Sequence, residues 1–209
     1  MPYRPTWRGW LHVGAFVASI PGATFLLLRA DGASARVASA VYGAALLLGF
    51  GTSATYHRLA HSVRARRIMQ RMDHSMIFVL IAGTYTPVCL LGLPAAWGIP
   101  LLCVVMAGAA LGIVLKQLAF ARFRALQYAL YPALGWAAMA TLPALMRSLS
   151  GAELTFLLVG GLLYTVGLPV LVRRRPNPWP RTFGYHEVWH ASTVLAGACH
   201  FAAVGMLVR

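Results

Sequence analysis

Near the carboxyl end, the stretch FGYHEVWHASTVLAGACHF, residues 183–201, places His186, Glu187, His190 and His200 in an otherwise apolar run. An ionisable side chain at the centre of a bilayer costs roughly 3 kcal/mol on insertion scales, so such groups in a hydrophobic segment need a reason. His186 and His190 are four residues apart. On a helix they stand about 40° apart around the axis and about 6 Å apart along it, on one face. That spacing fits two readings: two imidazoles on one metal ion, or caps for helix-end carbonyls and neighbouring loops. A second polar set lies in FGTSATYHRLAHSVRARRIMQRMDHSMIFVLIAGTYTP, residues 50–87, where Ser53 and His57 repeat the four-residue spacing and Asp73 follows. Three imidazoles with an acid nearby match the catalytic zinc pattern of three histidines, which keeps a fourth position for water.

The elements that must carry these groups are set by composition. Hydrophobic residues make up 59% of 209, and the acids are Asp31, Asp73, Glu153 and Glu187 alone. A soluble domain does not look like this. A hydrocarbon core about 30 Å thick needs about 20 apolar residues per helix. Seven such runs are expected, roughly over residues 8–28, 36–58, 73–93, 95–115, 125–146, 153–172 and 184–208. They fill residues 1–209 as one all-α domain of seven transmembrane helices with short loops and no room for a soluble domain. Barrel strands are disfavoured, because they would be about ten residues long and would alternate apolar with polar.

The net charge of +14 would point to nucleic acid in a soluble protein. Its distribution gives another explanation. Alternating the spans places fourteen basic residues on one side, in the groups Arg4 to Arg8, Arg58 to Arg71, Lys116 to Arg124 and Arg173 to Arg181, and only Arg29, Arg36, Arg147 and Arg209 on the other. The positive-inside rule then predicts a cytoplasmic N-terminus and an extracytoplasmic C-terminus in the cell (inner) membrane, with no nucleic-acid partner. The start MPYRPTWRGWLHVGAF is expected to be a retained first span rather than a cleaved signal, because six more spans follow. Cys89, Cys103 and Cys199 fall in apolar runs without CxxC spacing and are expected to pack. Gly108 and Gly112 form a GxxxG pair, and Pro21, Pro87, Pro100, Pro132, Pro143 and Pro169 sit in or near spans; close helix packing and kinks are what these positions predict.

On this topology Ser53, His57, Asp73, His186 and His190 fall in one layer, near the cytoplasmic ends of spans two, three and seven. Orientation was assigned by arginines alone, so the coincidence favours a metal site at His57, His186 and His190. Nitrogen ligands without thiolate suit zinc, although other transition metals accept them too. Such an ion lowers the pKa of a bound water to about 7 and polarises carbonyls. Asp73 is the candidate to orient the water or take its proton; its competing role is an ion pair with Arg71. Ser53, one turn deeper than His57, is a candidate partner for Asp73, the water or an oxyanion, against a bond to its own helix backbone. His61 is the competing ligand, though set among loop arginines. His74 is expected to cap or pack. His200 stands about 15 Å along the helix from His190 and is too far to share the ion; it and His12 are expected to be satisfied by neighbouring helices. Glu187 fits either a bond to a nearby histidine or an arginine partner, with the arginine favoured.

The motifs YHRLAHSVRARR, MDHSMIFVLIAGTYTP, GGLLYTVG and RPNPWPRTFGYHEVWHASTVLAGACHF together resemble the bacterial hemolysin III family, the prokaryotic branch of the progestin and adipoQ receptors. LHVGA in the first span resembles the family's histidine-glycine start. The resemblance implies seven helices with a cytoplasmic N-terminus. It also implies that Ser53, His57, Asp73, His186 and His190 occupy the family's motif, in which, in the related adiponectin receptors and alkaline ceramidases, three histidines hold zinc and the aspartate acts with its water. The expected function is a zinc-dependent lipid-amide hydrolase of ceramidase type, acting on carbon–nitrogen bonds of a lipid-like substrate that enters between helices. Two other functions compete: a non-catalytic receptor or structural protein in which zinc staples helices, and a pore, as the family's name suggests. A pore should be polar across the full bilayer, whereas the ionisable layer here gathers at one end.

Overall fold

The computed structural model describes residues 4–208, apart from the side chain of Arg124; Arg209 and residues 1–3 lie outside it. The helices are α1 (Trp10–Arg29), α2 (Gly32–Leu59), α3 (Val63–Leu91), α4 (Ala95–Leu118), α5 (Arg124–Gly135), α6 (Leu142–Ser148), α7 (Gly151–Arg173) and α8 (Tyr185–Leu207). With α5, α6 and the 3-10 turn Ala137–Thr141 taken as one broken span, seven segments are long and apolar enough to cross a membrane. The expected all-α, seven-span architecture is therefore present. Backbone groups inside lipid must pair within the chain, and helices achieve this without an edge.

The third helix departs from expectation. Its apolar run starts near residue 73, yet α3 begins at Val63, so Asp73 sits about 15 Å into the helix rather than opening it. Ser62 supplies the start, its Oγ accepting from the Ala65 N–H at 3.1 Å. Arg64, Arg66, Arg67 and Arg71, which the charge pattern places in a loop, ride on the first turns of α3. Long basic side chains extend such a helix into the headgroup layer because their charged ends reach water while their stems stay on apolar surface. Arg71 donates to the Gln117 carbonyl at 3.0 Å, which ties α3 to the end of α4.

Sequential helices pack as hairpins: α1 on α2, α2 on α3, α3 on α4 and α7 on α8, with α8 closing against α1 and α3. One core joins α3, α4 and α5 around Phe78, Val105 and Tyr131; a second joins α1, α2 and α8 around Leu26, Tyr42, Val204 and Val208. Glycines set the close approaches. A Cβ on Gly98 would run into the Cys89 carbonyl, one on Gly112 into the Phe78 ring, and one on Gly108 into Leu134, so the GxxxG pair does pack helices. Cys89 is buried as expected, whereas Cys103 is exposed on α4.

Pro21, Pro87, Pro100 and Pro169 lie inside continuous helices, whereas the fifth span is broken, with Pro132 inside α5 and Pro143 at the first turn of α6. The backbone groups freed by the break are satisfied by one phenol: Tyr85 Oη donates to the Gly135 carbonyl at 3.0 Å and accepts from the Ala138 N–H at 2.9 Å. Between this broken span and α7 lies a largely apolar cavity of ≈ 110 Å³ whose walls include Tyr85, Tyr131, Trp136, Tyr164, Trp189 and His200. Trp136 Nε1 donates to Thr165 Oγ1 across it at 2.9 Å.

Candidate metal centre

His57 lies in the last turn of α2, and His186 and His190 lie in the first two turns of α8. One ligand nitrogen from each falls within 4.8 Å of the others, and His57 and His190 are buried. The Nε2 atoms of His57 and His186 are 3.2 Å apart. Ring centroids stand at 4.7 Å for His57 and His186, 4.9 Å for His57 and His190, and 4.5 Å for His186 and His190. Two nitrogen ligands at about 2.0–2.1 Å from a tetrahedral zinc ion stand about 3.3–3.4 Å apart. The His57–His186 spacing fits such an ion closely, and a His190 nitrogen lies within 4.8 Å of both.

Ser53 and Asp73 border the same cavity of ≈ 90 Å³ as His12, His186 and His190. The Ser53 hydroxyl lies close enough to the Asp73 carboxylate to interact with it, while Arg71 donates instead to the Gln117 carbonyl. Gly9 explains how α1 comes so near. Its φ of 85° lies in the left-handed region, and a Cβ there would strike His57 Cβ at 2.6 Å.

The model of the family described as Haemolysin-III related matches residues 2–201. The chain belongs to this family. Among its relatives, the Hemolysin-3 homolog of Bacillus subtilis (strain 168) is 34% identical over 196 residues, covering 92% of this chain and 89% of that protein. Hemolysin-3 of Bacillus cereus is 32% identical over 195 residues, covering 92% and 85%. The protein is thus a haemolysin-III-related multi-pass membrane protein with a histidine trio that can hold a metal ion.

The other polar residues of this haemolysin-III relative divide between near and far. His61 is exposed in the α2–α3 loop and is not part of the trio. His200 faces the Leu157 carbonyl at 3.3 Å and meets the Tyr164 ring, on the far side of the apolar cavity. His74 packs edge-on against Phe120 while its carbonyl accepts from Tyr131 Oη at 3.0 Å. His12 is the residue whose place the sequence does not reveal. Its ring stacks on His190 with centroids 3.8 Å apart and planes within 4°. A buried ionisable group in a membrane helix is the available signal, but its partner depends on α1 lying beside α8.

Glu187 takes the arginine partner: Arg8 Nε donates to Oε1, while Oε2 accepts from the Gly184 N–H at 2.8 Å and so caps α8. Around this pair the surroundings are strongly positive. Burial, and then the neighbouring Arg8, Arg66 and Arg58, hold the Arg4 guanidinium below its ordinary pKa. The Glu187 side chain is 1% exposed. Arg8→Ala would strand its charge and is expected to cost about 3 kcal/mol, seen as a lower thermal midpoint in detergent. Glu187→Gln should cost less, because the neutral amide still accepts from Gly184. Equal losses would show that the charge pairing is not what matters.

Proposed function

We propose that this protein is a zinc-dependent hydrolase of lipid amide bonds, ceramidase-like, built as a single domain in the cell (inner) membrane with its N-terminus cytoplasmic. The observation that carries this reading is the convergence of His57, His186 and His190, two of which, His186 and His190, line one cavity together with Ser53 and Asp73. A purely structural zinc site is closed by four protein ligands. His61, the residue that would close this one, is exposed and apart from the trio among the described residues.

His57, His186 and His190 would hold the ion through ring nitrogens. When bound, zinc supplies Lewis acidity, polarising a carbonyl and making water a stronger acid. Asp73 accepts a proton from the attacking water and returns it to the leaving amine nitrogen, so the amide gives a carboxylic acid and an amine. Ser53 keeps the Asp73 carboxylate turned toward the cavity. The lipid character of the substrate rests on the neighbouring space. The cavity at the centre and the apolar cavity beside α7 share His74, Ile77, Leu80, Tyr164, Leu171 and Trp189 as wall residues. An acyl chain fits the apolar side while its amide lies at the polar side. The pore reading fares worse, because the half of the bundle farthest from the trio is packed by Leu26, Tyr42, Val204 and Val208, each fully buried.

The test is fatty-acid release from an N-acyl-sphingoid amide by purified protein, before chelation, after it, and after zinc is restored. Release should stop and return. Zinc that raises thermal stability while no amide is cleaved at any stage would favour the stapled, non-catalytic alternative.

A further inference from the structure

The proposed reaction gives His12 no task, yet His12 holds on to a member of the trio. Its ring lies flat on His190, with centroids 3.8 Å apart and planes within 4°. Its Nε2 stands 3.0 Å from Thr193 Oγ1. Thr193 spends its single hydroxyl hydrogen on the His190 carbonyl at 2.9 Å. Toward His12 the hydroxyl must therefore accept, which places the imidazole hydrogen on His12 Nε2. The result is a chain of bonds from the His12 ring through Thr193 to the backbone of His190, alongside the stack on its side chain. Phe50 meets the His12 ring edge-on at 5.3 Å and backs this arrangement.

The same assignment leaves Nδ1 of the neutral ring as a bare acceptor, and that atom is buried with no hydrogen-bond partner among the described residues. A buried acceptor without a partner carries a desolvation penalty. An apolar side chain would fill this volume, 7% exposed, without that penalty. Packing alone therefore does not account for an imidazole here.

We propose that His12 is a positioning residue for the metal centre, gripping His190 at two points and favouring its metal-bound state over its free state. The inference rests on the reading of the trio as metal ligands. A ring that gives its lone pair to a cation becomes electron-poor, and the electron-rich face of a neutral aromatic ring attracts it as it attracts other cationic groups. The free His190 ring gains no such attraction. The stack therefore contributes to metal affinity as well as to fixing the ring's angle, in the way groups behind metal-bound histidines generally do.

The experiment is zinc affinity by competition with a chromophoric chelator, on the full chain in detergent, for wild type, His12→Ala and His12→Phe. Thermal unfolding of the zinc-stripped forms is measured in parallel. His12→Ala should weaken zinc binding by about tenfold, at the lower end of the range for such supporting groups. His12→Phe keeps a flat ring against His190 and should recover most of that loss, while its zinc-stripped form unfolds no earlier than wild type. Wild-type affinity in His12→Ala, or equal losses in the two variants, would overturn the role of the stack and leave the trio standing. A wild-type chain that takes up no zinc would remove the trio reading and this inference together.

Discussion

With His190 replaced by alanine, the purified protein is expected to lose its stoichiometric zinc and, with it, amide turnover. His190 is 2% exposed and makes ring contacts with His57, His186 and His12. Removing it takes away one of three ligands and the surface on which His12 rests. Losing a group that merely supports a ligand costs 10–100-fold in metal affinity, and losing the ligand itself should cost more. Two measurements check this: metal content of protein purified without chelators, and the thermal midpoint with and without added zinc. Zinc should raise the wild-type midpoint by preferential binding to the folded state, and should leave that of His190→Ala unchanged. A variant that retained one zinc per chain would end the case for this trio.

Asp73→Asn is expected to separate binding from chemistry. The amide matches the carboxylate in shape and can keep its bond with Ser53, but it cannot take a proton from water. Turnover should fall about 10²–10⁴-fold, the usual worth of a positioned general base, while zinc content stays at the wild-type level. Turnover that survives unchanged would assign the proton to another acceptor. Loss of both zinc and turnover would make Asp73 a structural partner of the site.

The outcomes of the sequence reading follow from which forces are local. Seven spans are legible because each needs its own apolar run, a property of consecutive residues. The trio is legible because the i, i+4 spacing of His186 and His190 fixes a face, and counting arginines puts His57 at the same end. Legibility fails where the decisive partner is distant in sequence. The start of α3 is not legible because the arginines between 64 and 71 interrupt the apolar run, while the Ser62 cap and the reach of long side chains let a helix continue through them. The stacking of His12 on His190 and the choice of Arg8 by Glu187 both depend on α1 lying against α8, which no pattern within either helix encodes. Proline alone does not mark the break in the fifth span, since Pro21, Pro87, Pro100 and Pro169 sit inside unbroken helices, and its stabilisation by Tyr85 comes from another helix.

The grip of the N-terminal segment on the start of α8 bears on the order of events during synthesis. Thr6 and Trp7 donate backbone bonds to the Arg181 and Thr182 carbonyls, and Arg8 pairs with Glu187. These partners lie 175 to 179 residues apart in sequence, so their pairing is a closure of high contact order. Until α8 is in place His57 lacks the two imidazoles of the trio, so on the proposed reading metal uptake would follow the insertion of α8.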